Sequence, residues 1–360
     1  MKFSNKLVEN RHDIFFVSEH SYSEFYHGGI GNVDIEKILL KEGFTPISFP
    51  YHFSFSIRAK CARLIFLIKL LLSLRKGSVV IAQFPLYAKM NKLLLCLISK
   101  RKSISVIYII ADINGLKDGN DLLLSEELKE MGRCSYFILH NENMHLWLKK
   151  HIFSAKCSLL YFFDFPAPVS TSIKTKTSTV AFAGNLSKSL FLEKLDKINS
   201  QNLQFLLYGP GVTETMKSQK NVYYKGVFPP YKLPQKIEGS FGLVWDGNCV
   251  DEPCGSIGYY MHFITHHKVS LYILSGMPII IYANAGSAAL ITQYKIGFTI
   301  NSLDEIEQKI SSVTEKEYQD MIINTKFLAK KIASGSFLRE AINRIFEQIN
   351  INNSEYRKLN

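Results

Sequence analysis

The stretch His266–Ile300, HHKVSLYILSGMPIIIYANAGSAALITQYKIGFTI, decides how the rest of the chain is read. Val269, Leu271, Tyr272, Ile273 and Leu274 predict a short apolar helix, ended by Gly276 and Pro278. Ile279–Tyr282 is a continuous apolar run of strand length, the kind that a parallel sheet covers on both faces. The loop Asn284-Ala285-Gly286-Ser287 follows, with Ser287 placed to cap a second helix from Ala288. At the start of the first helix Thr265 reads as the N-cap, and His266, His267 and Lys268 fill the first turn. Cations there oppose the helix macrodipole, and the first N–H groups need acceptors. A bound phosphate answers both needs, accepting those N–H bonds and pairing with Lys268. The alternative is a solvated Lys268 beside two neutral histidines, which costs only about a few tenths of a kcal/mol.

Outward from this stretch, strand and helix signals alternate. Thr179–Ala183, Leu203–Tyr208, Val222–Lys225 and Phe241–Trp245 are predicted strands, and Leu190–Ile198 a predicted helix. The residues 166–178 are rich in Pro, Ser, Thr and Lys without periodicity, and read as a linker. Before them, strands are predicted at Ile14–Ser18, Pro46–Phe49, Val79–Gln83, Ser105–Ala111, Tyr136–Leu139 and Leu159–Phe162, with helices between. This alternation specifies an α/β fold with two mostly parallel sheets. The expected division is an N-terminal domain over 1–165, the linker, a C-terminal domain over 179–335, and a helix over 336–360 that packs back on the first domain. Glu315–Tyr356 reads as helical with a break near Gly335.

Five turns of the second domain fall on one sheet edge: Ala183–Lys188 (AGNLSK), Tyr208–Gly211 (YGPG), Trp245–Asn248 (WDGN), the start of HHK, and Asn284–Ser287 (NAGS). Their glycines let backbone approach a ligand, and Lys188 and Lys268 stand near helix starts where a phosphate is neutralised. Facing a cleft between two α/β domains, they make a nucleotide-diphosphate site the leading reading.

The six cysteines show neither CxxC nor Cys/His metal spacing, and read as buried thiols of a reducing compartment. No signal peptide is read at Met1–Asn10, and the apolar run Ala62–Leu74 is too short to span a bilayer. The net charge of +12 is unevenly placed: between Glu42 and Asp112 stand eleven Lys or Arg and no acidic residue. Interleaved with Ile, Leu and Phe, these suggest a face that rests on an anionic membrane. No zinc finger or RNA-recognition signature supports nucleic acid as partner. The expected location is cytoplasmic, peripheral on the inner face of the plasma membrane. A homo-oligomer is the expected assembly, although no residue specifies it.

AGNLSK, GLVWDG (Gly242–Gly247) and HHKVSLYILSGMPIIIY with its small-residue loop resemble a group of bacterial GT-B glycosyltransferases. That group includes β-1,6-galactofuranosyltransferases of O-antigen synthesis and a glucosyltransferase acting on serine-rich adhesins. In the first half, GIGNVDIEKIL (Gly29–Leu39) is similar to the family's Gly-rich loop and helix, ADINGLK (Ala111–Lys117) to its second polar loop, and HNENMHLWL (His140–Leu148) to its strand-to-helix junction. The resemblance implies GT-B architecture, two Rossmann-like domains facing a central cleft, with the donor mainly on the second. It implies transfer of a hexosyl residue (galactofuranosyl, galactosyl or glucosyl) from a UDP-sugar to a glycan hydroxyl in surface polysaccharide synthesis, as O-antigen or capsule. The acceptor glycan is lipid-linked or protein-linked; extension of a glycan on an adhesin and non-catalytic membrane or polyanion binding remain the alternatives. By matching position, Asn185 and Lys188 would lie near the donor diphosphate, Lys268 would hold it, Trp245 and Asp246 would border the pocket, and Gly286, Ser287 and Ala288 would cap the donor sugar or its phosphates; Gly184, Tyr208, Gly209 and His267, on the same edge, are further donor-side candidates. Gly28, Gly29, Gly31, Asn32 and Asn114 fall on the acceptor side. Where the family carries His before the Asp of the second loop, this chain has Ala111.

Glycosyl transfer needs a base for the acceptor hydroxyl and stabilisation of the departing diphosphate. Lys188, Lys268 and helix N-termini suit the second task, no Asp-x-Asp motif is present, and neither a metal nor another cofactor is expected. No carboxylate lies between Glu252 and Asp304, so the Glu-x7-Glu pattern of many retaining enzymes is missing from this stretch and inversion is expected. Asp112, just past a buried strand, is the first candidate base, with capping of Asn114-Gly115 as its alternative role; His27, in the Gly loop, is the second. An epimerase or oxidoreductase is disfavoured, since G-x-G-x-x-G is absent.

Overall fold

The computed structural model describes residues 14–20, 29–51, 54–101 and 103–352. The first sheet comprises β1 (Ile14–Val17), β2 (Thr45–Ile47), β3 (Val79–Phe84), β4 (Ser105–Ile110), β5 (Tyr136–Leu139) and β6 (Lys156–Leu159). The second comprises β7 (Thr179–Ala183), β8 (Gln204–Tyr208), β9 (Val222–Gly226), β10 (Phe241–Val244), β11 (Ile279–Tyr282) and β12 (Gly297–Ile300). All pairings are parallel, in the orders β2-β1-β3-β4-β5-β6 and β12-β11-β10-β7-β8-β9. The helices are α1 (Ile30–Lys41), α2 (Ile57–Ser73), α3 (Lys89–Ile98), α4 (Asn114–Asp118), α5 (Asp121–Met131), α6 (Glu142–His151), α7 (Glu214–Ser218), α8 (Leu233–Lys236), α9 (Gly255–Tyr260), α10 (His267–Leu274), α11 (Ala288–Gln293), α12 (Ile306–Ser312), α13 (Glu315–Ser334) and α14 (Ser336–Asn352).

The reversal of strand order puts a crevice between β1 and β3 in the first sheet and between β7 and β10 in the second. Open parallel sheets bind ligands at such reversals, beyond the carboxyl ends of the strands. The central strands are apolar because they are covered twice: every residue of β3 and of β11 is buried. Helix α10 lies close over β10, and a Cβ on Gly242 would stand 2.2 Å from the Tyr272 ring. The Tyr272 hydroxyl accepts from Ala183 N at 3.0 Å and donates to Leu243 O at 3.1 Å. It thereby bridges the two strands that diverge at the second crevice.

Several expectations are corrected. The Leu159–Phe162 run is not a strand; β6 pairs three residues earlier, and Phe162 packs against Tyr294 and Phe337. The helix expected at Leu190–Ile198 is present over Leu190–Lys197, with 3-10 geometry. Cys249 and Cys254 form a disulfide, and Cys61 is exposed, so six buried free thiols are not what the fold contains. The fold brings the bonded pair together in the loop between β10 and α9, which spacing alone does not signal.

Past that loop the chain enters the first domain: Tyr260 is packed in its core, and its hydroxyl accepts from Ile113 N at 2.8 Å. Helix α14 lies against β5 and β6, with Arg344 donating to Ser158 Oγ and Leu159 O. Its start is held by Asp164, which accepts from Phe337 N and Leu338 N. Burial outweighs those two bonds and pushes Asp164 up to about 7.

Candidate active site

At the second crevice Lys268 projects from the first turn of α10 toward the ends of β7 and β10. Its Nζ lies 2.9 Å from Asp246 Oδ1 and 4.1 Å from the centroid of the Phe182 ring. Gly184 closes β7 with φ 151, and a Cβ there would stand 3.2 Å from Lys268 Cε. Gly209 packs so closely that its own Cβ would meet Gly184 O at 1.9 Å. The other Asp246 oxygen is 2.9 Å from His266 Nε2, an ion-pair distance whose angle falls outside that of a hydrogen bond. Burial alone would raise the Asp246 pKa, but Lys268 and His266 overcome it and hold the carboxyl well below the usual range. A cavity of about 250 Å³ opens here, between Gly184, His266, His267 and Lys268 on one side and Ile30 and Phe165 on the other. Ordinary small-molecule sites run to roughly 300–1,000 Å³, so this cavity is slightly below that range.

The helix starts at His267 with His266 in the cap position, one residue later than the sequence suggests. Thr265 does not cap it, because its own atoms are used across the domain boundary. Thr265 N donates to His140 Nδ1 at 3.2 Å and Thr265 Oγ1 accepts from Asn141 Nδ2 at 3.2 Å. His140 Nε2 reaches Ile110 O at 2.9 Å, and burial pushes this imidazole down to about 4. The β5–α6 junction of the first domain is thus bolted to the segment that leads into α10.

A second joint stands on α1. Gly29 caps this helix at φ 86, and a Cβ on Gly31 would lie 3.2 Å from His267 Cδ2. Asp34 is fully buried behind them and accepts from the Tyr231 hydroxyl at 2.6 Å. Its Oδ2 stands 3.9 Å from His267 Nε2, and both atoms lack a hydrogen-bond partner. Burial raises Asp34 to about 7, against the lowering effects of Tyr231 and Lys37, and pushes His267 down to about 4.

The remaining candidates divide. Asp112 follows β4, is partly exposed, and pairs with Lys117 at 2.8 Å. It does not cap Asn114-Gly115; Glu127 accepts those two N–H groups instead. Asn32 turns its carbonyl to Gln83 Nε2, and its side chain stands 3.3 Å from His20 Nε2. Asn185 holds a 3-10 turn by accepting from Ser187 N and Oγ, and Lys188 is exposed on that turn. Tyr208 and Trp245 turn inward rather than to the cleft: Tyr208 is buried with its hydroxyl accepting Glu238 N, and Trp245 Nε1 donates to Cys249 O. Gly286 is where both domains crowd the chain, since a Cβ there would meet Asn141 Nδ2 at 2.8 Å and His262 O at 2.9 Å. Ser287 occupies the cap position of α11 without making the capping bond; its Oγ is buried and unpaired, and Ala288 is buried beside it. His27 and Gly28 lie outside the described residues.

Sequence reasoning missed Asp34, His140 and His266 as partners. The only signal for Asp34 was a carboxylate flanked by the apolar Val33 and Ile35 near a helix start. Among the described residues no cluster of three or more His, Cys, Asp or Glu is placed to hold a metal ion.

Comparison with known proteins bears on the family and the fold. The glucosyltransferase 3-like N-terminal domain matches residues 17–159, and the corresponding C-terminal domain matches residues 180–345. The β-1,6-galactofuranosyltransferase WbbI of Escherichia coli (strain K12) is 28% identical over 287 residues, covering 78% of this chain and 82% of that protein. Glucosyltransferase 3 of Streptococcus gordonii is 26% identical over 322 residues, covering 87% and 92%. In fold, Anabaena HepE, solved in complex with UDP-glucose, superposes with a TM-score of 0.58 at 12% identity over 94% of this chain and 99% of that one. Sucrose-phosphate synthase from Thermosynechococcus elongatus gives 0.59 at 11% identity over 96% and 98%. The two matched domains span nearly the whole described chain in order, and the protein belongs to the glucosyltransferase 3-like family of glycosyltransferases.

Proposed function

We propose that this glycosyltransferase moves a hexosyl residue from a UDP-sugar to a glycan hydroxyl of a surface polysaccharide, with inversion and without a metal ion. The observation that carries the reading is Lys268 at the β7/β10 reversal, beside the Gly184–Gly209 contact and paired with Asp246. A diphosphate entering there takes over Lys268 and the first N–H groups of α10, while Asp246 keeps His266 as its partner. The relatives named above act through galactofuranosyl or glucosyl transfer by name, and the HepE structure holds UDP-glucose. Those facts favour a uridine nucleotide and a hexose.

In the step proposed, Asp112 takes the proton of the acceptor hydroxyl as its oxygen attacks the anomeric carbon. The bond from that carbon to the diphosphate breaks, and the charge left on UDP falls to Lys268. Lys117 Nζ donates to Asp112 Oδ2 at 2.8 Å and fixes where that carboxylate stands. The test is a thermal-shift panel of UDP-, GDP- and dTDP-sugars, followed by donor turnover with and without EDTA. Stabilisation by UDP-sugars alone and EDTA-insensitive turnover are expected. Stabilisation by another nucleotide, or activity abolished by EDTA and restored by magnesium, would overturn the donor or the metal part of the reading.

A further inference from the structure

Helix α2 is 17 residues long, yet only Ala59 and Leu67 on it are buried. Its exposed large apolar residues are Ile57, Leu64, Ile65, Ile68 and Leu72, with Phe55 just ahead of the helix. At a turn of 100° per residue the five helical positions fall within about 100° of the circumference, a single stripe. Leu72 and Ile57 are each 80% exposed and Phe55 84%, so the stripe faces solvent along its length. Arg58 and Lys69 fall on one margin of the stripe and Lys60 on the other, all exposed. No acidic residue occurs between Glu42 and Asp112 to offset them.

We infer that this face of α2 docks the protein on an anionic lipid bilayer, lying in the plane of the interface. An apolar stripe with basic margins on both sides matches the two layers that such a surface offers: acyl chains below and negative headgroups above. A second copy of the chain fits less well, because pairing two such faces would set Arg58, Lys60 and Lys69 against their own images. No helix among the described residues is long and apolar enough to cross a membrane, so α2 rests on the bilayer rather than spanning it. Ser56 caps α2 just beyond the carboxyl side of β2. The inference stands independently of the donor reading.

The experiment is flotation of the full chain with vesicles of phosphatidylglycerol and phosphatidylcholine in equal parts, against phosphatidylcholine alone, at low and high salt. Parent protein floats only with the anionic vesicles, and less at high salt. Combining Arg58→Gln, Lys60→Gln and Lys69→Gln lowers partitioning on the order of a hundredfold, and combining Leu64→Ser, Ile68→Ser and Leu72→Ser abolishes it. UDP affinity and melting temperature, measured on the same variants, match the parent because none of these residues touches the cleft. Parent that stays unbound with anionic vesicles, or charge variants that float like the parent, would sink the inference whatever the donor proves to be. Serine variants that float normally but turn a multimer into a monomer in sedimentation would assign the face to a second copy instead. Should the serine variant fail to fold, the charge variant decides alone.

Discussion

The two sheets have the same number of parallel strands and one order reversal each, but they furnish the reversals differently. At the β1/β3 crevice the chain supplies its own anions. Glu19 accepts from Tyr87 N, Ala88 N and Asn91 Nδ2, and Glu36 accepts from Glu19 N, His20 N and the Ser18 hydroxyl. Among the described residues, the donors Glu19 N, His20 N, Tyr87 N and Ala88 N are already taken by these carboxylates. At the β7/β10 crevice the groups are a cation and glycines, and the one carboxylate, Asp246, is held by two partners. Losing Lys268 to a ligand leaves Asp246 still matched by His266. The same topology thus places carboxylates holding backbone donors at one reversal and a lysine among glycines at the other. The difference lies in which sign of charge the loops carry.

The strongest way to break this comparison is Lys268→Ala. It removes the site's cation and leaves Asp246 with His266 as its one remaining partner; losing a buried partner costs up to about 3–5 kcal/mol. UDP affinity by calorimetry should fall on the order of a thousandfold; an unchanged Kd would mean the β7/β10 crevice is not the donor site. Asp112→Asn should lower kcat by roughly a hundredfold or more while leaving UDP affinity within about twofold, since a base contributes in the chemical step. Full activity in that variant would move the base elsewhere. Glu19→Gln tests the β1/β3 crevice. It should lower stability by about 1–3 kcal/mol through weakened bonds to three donors, with no change in UDP affinity. Tighter nucleotide binding there would show that the first crevice is a ligand site after all.

The smallest effect is a pH profile. Asp34 has a folded pKa of about 7 against an ordinary 3.8. Between those values the folded protein keeps a proton that the unfolded chain has released, so this group's contribution to stability declines as pH rises through that window. Asp34→Asn has no such proton to lose. Its melting temperature should gain on the parent's by a few degrees from pH 4 to pH 7, then hold a constant offset. A difference that is flat over that range would place Asp34 in a more solvated setting than the α1–α10 joint provides.

How far the site was legible depends on how local each feature is. Helix stops at Gly276 and Gly335, the doubly apolar strands and the Gly-rich turns after β7 and β8 are set by neighbours in the chain, and they lie where spacing placed them. Trp245 and Tyr208 show the opposite. In a strand buried on both faces the apolar pattern carries no parity, so sequence cannot say which strand-end side chain faces the cleft. Both turn inward to satisfy a polar atom against backbone, Trp245 at Cys249 O and Tyr208 at Glu238 N.

By itself the sequence determined the alternation of strand and helix that builds two parallel sheets, and the cation at the head of the helix in HHKVSLYIL. Those follow from periodicity, glycine position and charge, which act over a few residues. Only the tertiary structure decided what that cation meets. Lys268 and Asp246 are 22 residues apart, and they touch because α10 packs over β10 on a glycine that leaves room for Tyr272. The same holds for Asp34 against His267 and for Thr265 against His140. These contacts cross the domain boundary, and packing between distant elements, not local preference, sets them.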